Sequence, residues 1–173
     1  MRRYQRPIIS LIARLVSDRA LAEDLAQETF VKAYRSLAAF DTTRRLSSWL
    51  FRIAHNTAID MRRRSRAQPA LEASEDAPPG SVEAASATMD ADPVEREALG
   101  RALSRALQRL RPEYRTAVIL RYEEGLAFDE IGHVLGVAEA TARSHVHRAR
   151  KELTRWLSDA GWSPVSRDRV EPC

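Results

Sequence analysis

The 173-residue chain holds one cysteine, and it is the last residue, Cys173. An internal disulfide and a thiolate zinc site are thereby excluded, and such cysteine usage suits a reducing cytoplasm. Lysine is nearly missing: Lys32 and Lys151 are the only two, so arginine supplies almost all the positive charge. Aromatic residues make up 6% of the chain, and none lies between Phe51 and Tyr114. No run of eighteen apolar residues occurs, so membrane insertion is not expected. The start, MRRYQRPIISLIARLV, is basic and then apolar, but arginines interrupt it and no small-residue cleavage site follows, which argues against a signal peptide. A glycine-rich phosphate loop is also missing. His145 and His147 form a weak metal pair, because i and i+2 do not share a helix face. Neither a Ser/His/Asp set nor paired carboxylates can be argued from spacing. The reading is of a non-enzyme with no cofactor and no metal.

What is present is charge, unevenly placed. Residues 1–66 hold 14 Lys/Arg and 6 Asp/Glu, residues 67–97 hold 1 and 8, and residues 98–173 hold 13 and 10. Two positive blocks flank an acidic strip, as two separate heads facing a polyanion would require. The strip 67–93, AQPALEASEDAPPGSVEAASATMDADP, is rich in Ala, Pro, Ser and acid. It has too little apolar surface to offset its ordering entropy and reads as a flexible tether.

Both flanking blocks read as helices. Pro7 can start the first helix, with Ile8, Leu11, Ile12, Leu15 and Val16 inward. Asp18 can cap the next, which runs to about residue 39. On its wheel Ala22, Ala26, Thr29, Phe30, Ala33, Tyr34 and Leu37 gather on one side, and Asp24, Gln27, Glu28, Lys32 and Arg35 on the other. A third helix spans about residues 47–64. Further helices are predicted at 94–110, 112–124, 128–135 and 139–157. The last two, joined across Gly136-Val137-Ala138, form a helix-turn-helix pattern. Ile131, Val134 and Leu135 would pack on Val146, Ala149 and Leu153. The outer side of the last helix then carries Thr141, Arg143, Ser144, His147, Arg148 and Lys151, a plausible groove-reading surface. A merely structural helical hairpin stays open on this pattern alone. The fold class expected is all-α: two small helical domains on a flexible acidic linker, the second containing the helix-turn-helix.

Three stretches together are more specific than any one. AEDLAQETFVKAYRSL (22–37), SSWLFRIAHNTAIDMRRRSR (47–66) and LRPEYRTAVILRYEEGLAFDEIGHVLGVAEATARSHVHRARKEL (110–153) resemble bacterial RNA polymerase sigma factors of the extracytoplasmic-function (ECF) group, in the same order and spacing. The resemblance implies a region 2-like domain at 1–66 for core polymerase and the −10 element. It implies a linker at 67–93, a region 4-like domain at 94–157 for the −35 element, and a tail at 158–173. Core RNA polymerase, promoter DNA and an anti-sigma factor are the implied partners, and the cytoplasm is the implied location. The residues carried over as polymerase contacts are Asp24, Gln27, Glu28 and Arg35, although a solvated face is the ordinary reading of a charged stripe. For the −10 element they run from Phe40 and Ser48 to His55 and Asn56, with Arg62, Arg63, Arg64 and Arg66 toward phosphates. Asn56 is the first choice for a base, because an amide both donates and accepts. Four such arginines imply a log–log salt slope of about −3 to −4. For Trp49 core packing is the preferred reading.

The sequence also departs from the family. Its first helix begins near Met1, where relatives carry another turn or two. Ala127 and Ala138 stand where hydroxyl caps are usual, each loss worth about 1 kcal/mol, and Ala142 replaces a larger aliphatic residue.

Magnitudes point to a partner. Separating about ten base pairs costs roughly 14 kcal/mol at about 1.4 per step, while stacking returns about 1–3 kcal/mol per base. The 27-residue tether averages about 30 Å if flexible and reaches at most about 95 Å. Promoter elements two helical turns apart lie about 70 Å from one another, so a scaffold should hold the heads apart. Two other classes remain open at this point: a helix-turn-helix regulator that binds duplex unaided, and a recombinase with a strand-rich catalytic domain.

Overall fold

The computed structural model describes residues 2–67 and 93–162; most of the expected linker and the end of the expected tail lie outside these. Among the described residues there are seven α-helices and no strand, which removes the strand-rich recombinase. Helix α1 spans Arg2–Val16, α2 Arg19–Arg35, and α3 Leu46–Ala67. After the linker come α4 (Pro93–Arg109), α5 (Pro112–Tyr122), α6 (Phe128–Leu135) and α7 (Glu139–Asp159).

Helix α1 differs from the sequence reading. It begins at Arg2, so Pro7 lies inside it rather than at its start. Proline lacks the N–H that would reach back one turn, but so near a helix start little of the ladder is lost. Its inward stripe is as predicted, with Ile8, Leu11, Ile12 and Leu15 fully buried. Asp18 caps α2 by accepting from the Leu21 N–H at 3.0 Å. Small residues of α2 (Ala22, Ala26, Ala33) and α3 (Ala54, Ala58) are buried, and these two helices pack on each other and on α1. The remaining volume is filled by Leu25, Leu50 and Phe51. Lys32 ties the two helices by donating to the Thr57 hydroxyl at 3.2 Å.

Two residues assigned to the inner side of α2 are outside. Tyr34 is 73% exposed and Leu37 lies half out, beyond the helix end at Arg35, in a single 3₁₀ turn at Leu37–Ala39. The inner side of α2 is Ala22, Leu25, Ala26, Thr29 and Ala33, a narrower stripe that stops before Tyr34.

Helix α5 is the hub of the second block. Seven consecutive residues, Tyr114 to Leu120, are buried, so the middle of this helix leaves no side to water, while Glu113 and Tyr122 near its ends are exposed. It packs on α6 and α7 and, from the other direction, on α1. The helix-turn-helix is formed by α6 and α7, at the predicted start and end for α6. Gly136 ends α6 in the left-handed conformation at φ 69°. Gly132 has no room for a side chain: a Cβ there would sit 2.7 Å from the Val137 carbonyl oxygen. The missing hydroxyl at Ala127 is partly replaced, since Glu130 reaches back to accept from the Ala127 N–H at 2.9 Å, half of a capping box.

The two helical blocks dock on each other, chiefly through α3 on α6 and α1 on α5. The bonds across this seam are polar and specific. Arg115, 3% exposed, donates to the Arg14 carbonyl at 2.7 Å and to the Leu110 carbonyl at 3.2 Å, and also to the Gln108 carbonyl. One guanidinium thus gathers the carbonyl-rich C-terminal ends of α1 and α4, where a cation is favoured. Burial, and then Arg62, pull its pKa down to about 10, so it stays charged at neutral pH. Arg14 pairs with Glu123. Arg45 meets Glu130 at 3.5 Å, and Arg44 donates to His133 Nδ1 at 3.3 Å.

Candidate polymerase and nucleic-acid interface

Three surfaces carry the residues singled out from sequence. The first is the outer side of α2. Asp24, Gln27, Glu28 and Arg35 are all exposed there. Between them Val31 is 48% exposed and Tyr34 73% exposed, so the stripe is charged at both ends with an apolar patch within. The wheel misses this patch, because it places Tyr34 inward and Val31 on neither side. Glu28 is held to Lys32 at 2.7 Å, one turn along.

The second surface is α3 and the loop before it. Phe40 stacks on Trp49 with ring centroids 5.0 Å apart, tilted at 50°. Trp49 packs partly on the core, as preferred, and Phe51 is wholly inside. Asn56, Arg63 and Arg64 are exposed, and Arg62 is half-buried. Ser48 and His55, by contrast, are buried in this arrangement. Ser48 donates to the Arg45 carbonyl at 2.9 Å, capping its own turn. His55 Nδ1 lies 3.1 Å from the Thr116 hydroxyl, so its partner belongs to α5, in the other block. Burial lowers the His55 pKa to about 4 against the opposing pull of Glu113, and the ring is neutral at physiological pH. The side chain of Arg66 lies outside the described residues. Arg52, one turn before Asn56 and equally exposed, was not singled out from sequence; only its spacing could have marked it.

The third surface is α7. Thr141, Arg143, His147, Arg148 and Lys151 are exposed and Ser144 is half-buried, while Ala142, Val146, Ala149 and Leu153 face the core. Ala142 is fully covered, so its small side chain lets α7 sit close on the preceding helix. Arg148 donates to the Tyr114 hydroxyl at 3.1 Å, which commits part of its guanidinium to α5. Phe128, at the first position of α6, has two guanidinium carbons near its ring, those of Arg121 and Arg143, each 4.7 Å from the centroid. Among the described residues no His/Cys/Asp/Glu group could hold a metal ion, and no helix is long and apolar enough to cross a membrane.

The Sigma-70 region 2 family matches residues 1–68, and the Sigma-70 region 4 family matches residues 100–153. ECF RNA polymerase sigma factor SigW of Bacillus subtilis (strain 168) is 32% identical over 160 residues, covering 90% of this chain and 86% of that protein. The chain belongs to the sigma-70 family, in its ECF group. RNA polymerase sigma factor CarQ of Myxococcus xanthus is 37% identical over 157 residues, across 91% of this chain and 86% of CarQ. The fold agrees. The sigma factor RpoE from Bartonella quintana, solved in complex with the anti-sigma factor NepR, superposes with a TM-score of 0.67 at 26% identity, covering 89% of this chain and 91% of that one. With both sigma regions in one chain, this is a promoter-recognising sigma factor of RNA polymerase. The stand-alone regulator has no use for the region 2 half and is not favoured.

Proposed function

We propose how this ECF sigma factor divides the work among its surfaces. The outer stripe of α2, with Asp24, Gln27, Glu28 and Arg35 around Val31 and Tyr34, docks on core polymerase. The loop from Phe40 and the exposed side of α3, led by Asn56, hold unpaired bases of the −10 element, while Arg62, Arg63, Arg64 and Arg66 follow the phosphates. The outer side of α7 reads the −35 duplex. The working units are 1–66 and 94–157, joined by an acidic tether at 67–93, with 158–173 as a tail. The protein acts in the cytoplasm, without catalysis of its own, and an anti-sigma protein restrains it, by likeness to the RpoE relative.

One observation carries this reading: each half of the chain exposes a basic helix face of its own, on either side of an acidic strip, in the order of the family. The docked arrangement cannot serve both promoter elements at once. Elements about 70 Å apart demand that the halves separate, and separation also frees His55 and Ser48 for the −10 strand. Polymerase therefore does two things here: it shares the cost of melting and it holds the halves apart.

Run-off transcription with purified core polymerase on genomic fragments tests the reading. Specific starts should need both the chain and the polymerase. Tight sequence-specific binding to duplex by the chain alone, with no gain from polymerase, would overturn it.

A further inference from the structure

The ring of Phe128 sits where three elements meet, and its surroundings are not those of an ordinary core residue. It begins α6, is half-buried, and has a guanidinium from α5 and another from α7 at the same distance, 4.7 Å. Arg121 is anchored, since its Nη1 donates to the Leu126 carbonyl at 2.8 Å. Arg143 is held from a second direction by Glu139, whose carboxylate accepts from Nη2 at 2.7 Å, one turn earlier on α7. Even so, the Arg143 side chain stays 62% exposed.

A solvent-facing arginine is normally a mixture of rotamers, and a contact to DNA must then supply the entropy of fixing it. Here an aromatic face and a carboxylate restrict it in advance. The guanidinium is planar, so stacking on a ring orients its donor fork as well as placing its charge. Arg143 lies in the second turn of the recognition helix, the end from which base edges are reached. Glu139, in the first turn, also offsets the crowding of two cations on one ring and is favoured there by the helix dipole. Phe128 also packs against the core as a partly buried residue, with Ile131, Val134 and Val146 buried within it.

We infer that Phe128 is a positioning residue for −35 recognition: its ring, with Glu139, presets the Arg143 fork before DNA arrives. This rests on the assignment of α7 to the −35 element.

The test uses the full chain with core polymerase, on a promoter recovered by run-off transcription and on the same promoter with its −35 segment scrambled. Phe128→Leu keeps apolar bulk and loses the ring. It should weaken open-complex formation about three- to ten-fold on the intact promoter and leave the scrambled one unchanged. Phe128→Tyr should restore the intact value. In an Arg143→Ala background, Phe128→Leu should have no further effect, because the side chain it presets is gone. Should Phe128→Leu lower the melting temperature, Phe128→Met carries the same cycle with a volume closer to the original. Equal losses on both promoters, or losses that add fully to those of Arg143→Ala, would overturn the inference alone. An Arg143→Ala variant that keeps full −35 dependence would remove the assignment on which it rests.

Discussion

At the scale of single residues, a few buried polar groups join parts of the chain that are far apart in sequence. Arg115 is the clearest. Its guanidinium is nearly inaccessible and satisfies carbonyls at Arg14, Gln108 and Leu110. Removing it leaves those acceptors without their cation in a place that water reaches poorly, and each such loss costs about 1–3 kcal/mol. Arg115→Met should therefore lower stability by about 3 kcal/mol, although the replacement is apolar and of similar length. Urea denaturation followed by circular dichroism measures this; an unchanged midpoint would show that the carbonyls find other donors. Nothing in the sequence flagged Arg115, which reads there as one arginine among many. Its role depends on which helix ends converge on α5, and no local pattern encodes that. The α7 residues could be placed on one outward side in advance, since helical spacing decides which side chains share a face, whereas Asn56 comes from the family resemblance.

At the scale of elements, the helix-turn-helix was the most legible part of the chain, because its signals are local. Gly136 supplies the left-handed turn, the apolar spacing orients α6 on α7, and both helix starts came out as expected. Gly132 adds a constraint that spacing could not reveal. Alanine is the better helix former by about 1 kcal/mol, so propensity alone predicts that Gly132→Ala stabilises α6. The space predicts the opposite: a Cβ 2.7 Å from the Val137 carbonyl must push backbone, not a flexible side chain. Overpacking of this kind costs about 1–3 kcal/mol, and the net effect should be a loss. A thermal melt decides the sign, and a rise in melting temperature would mean that the turn yields easily. What is less legible has physical reasons. Helix α5, expected at 112–124, is found at Pro112–Tyr122, but periodicity cannot show that Tyr114 to Leu120 are covered on every side. Leu37 reads as inward only if α2 runs to residue 39, but the helix ends at Arg35 and Leu37 falls in the 3₁₀ turn that follows; Tyr34 is still helical, one position off the narrow buried stripe.

At the scale of the whole molecule, the docking of the two halves is where stability and function oppose each other, and His55 makes the balance sensitive to pH. Its ring is 7% exposed, neutral, and bonded to Thr116 of the other half. The pKa falls from 6.5 to about 4, chiefly through burial, with Glu113 pulling weakly the other way. A histidine whose pKa is depressed in the docked state favours docking fully above pH 6.5. As pH falls below that, the separated state takes up a proton that the docked state does not, and the advantage declines until it is gone below about pH 4. If separation exposes the ring fully, the whole effect is about 3 kcal/mol, with about 2 of it lost at pH 5. Glu123 works in the opposite sense: burial raises its carboxyl pKa, so acid removes some of the cost of covering it. The two are separable by substitution. Small-angle scattering of the full chain should show the radius of gyration growing between pH 7 and pH 5, and His55→Gln should flatten that change while leaving the Glu123 contribution in place. If the wild-type dimensions hold constant over this range, the burial of His55 is internal to its own helix bundle and α5 contributes nothing to it. If they grow as expected, His55, which we propose turns to promoter DNA once the halves part, is one of the residues keeping the closed form shut. Polymerase binding would then have to supply, at neutral pH, what a proton supplies in acid.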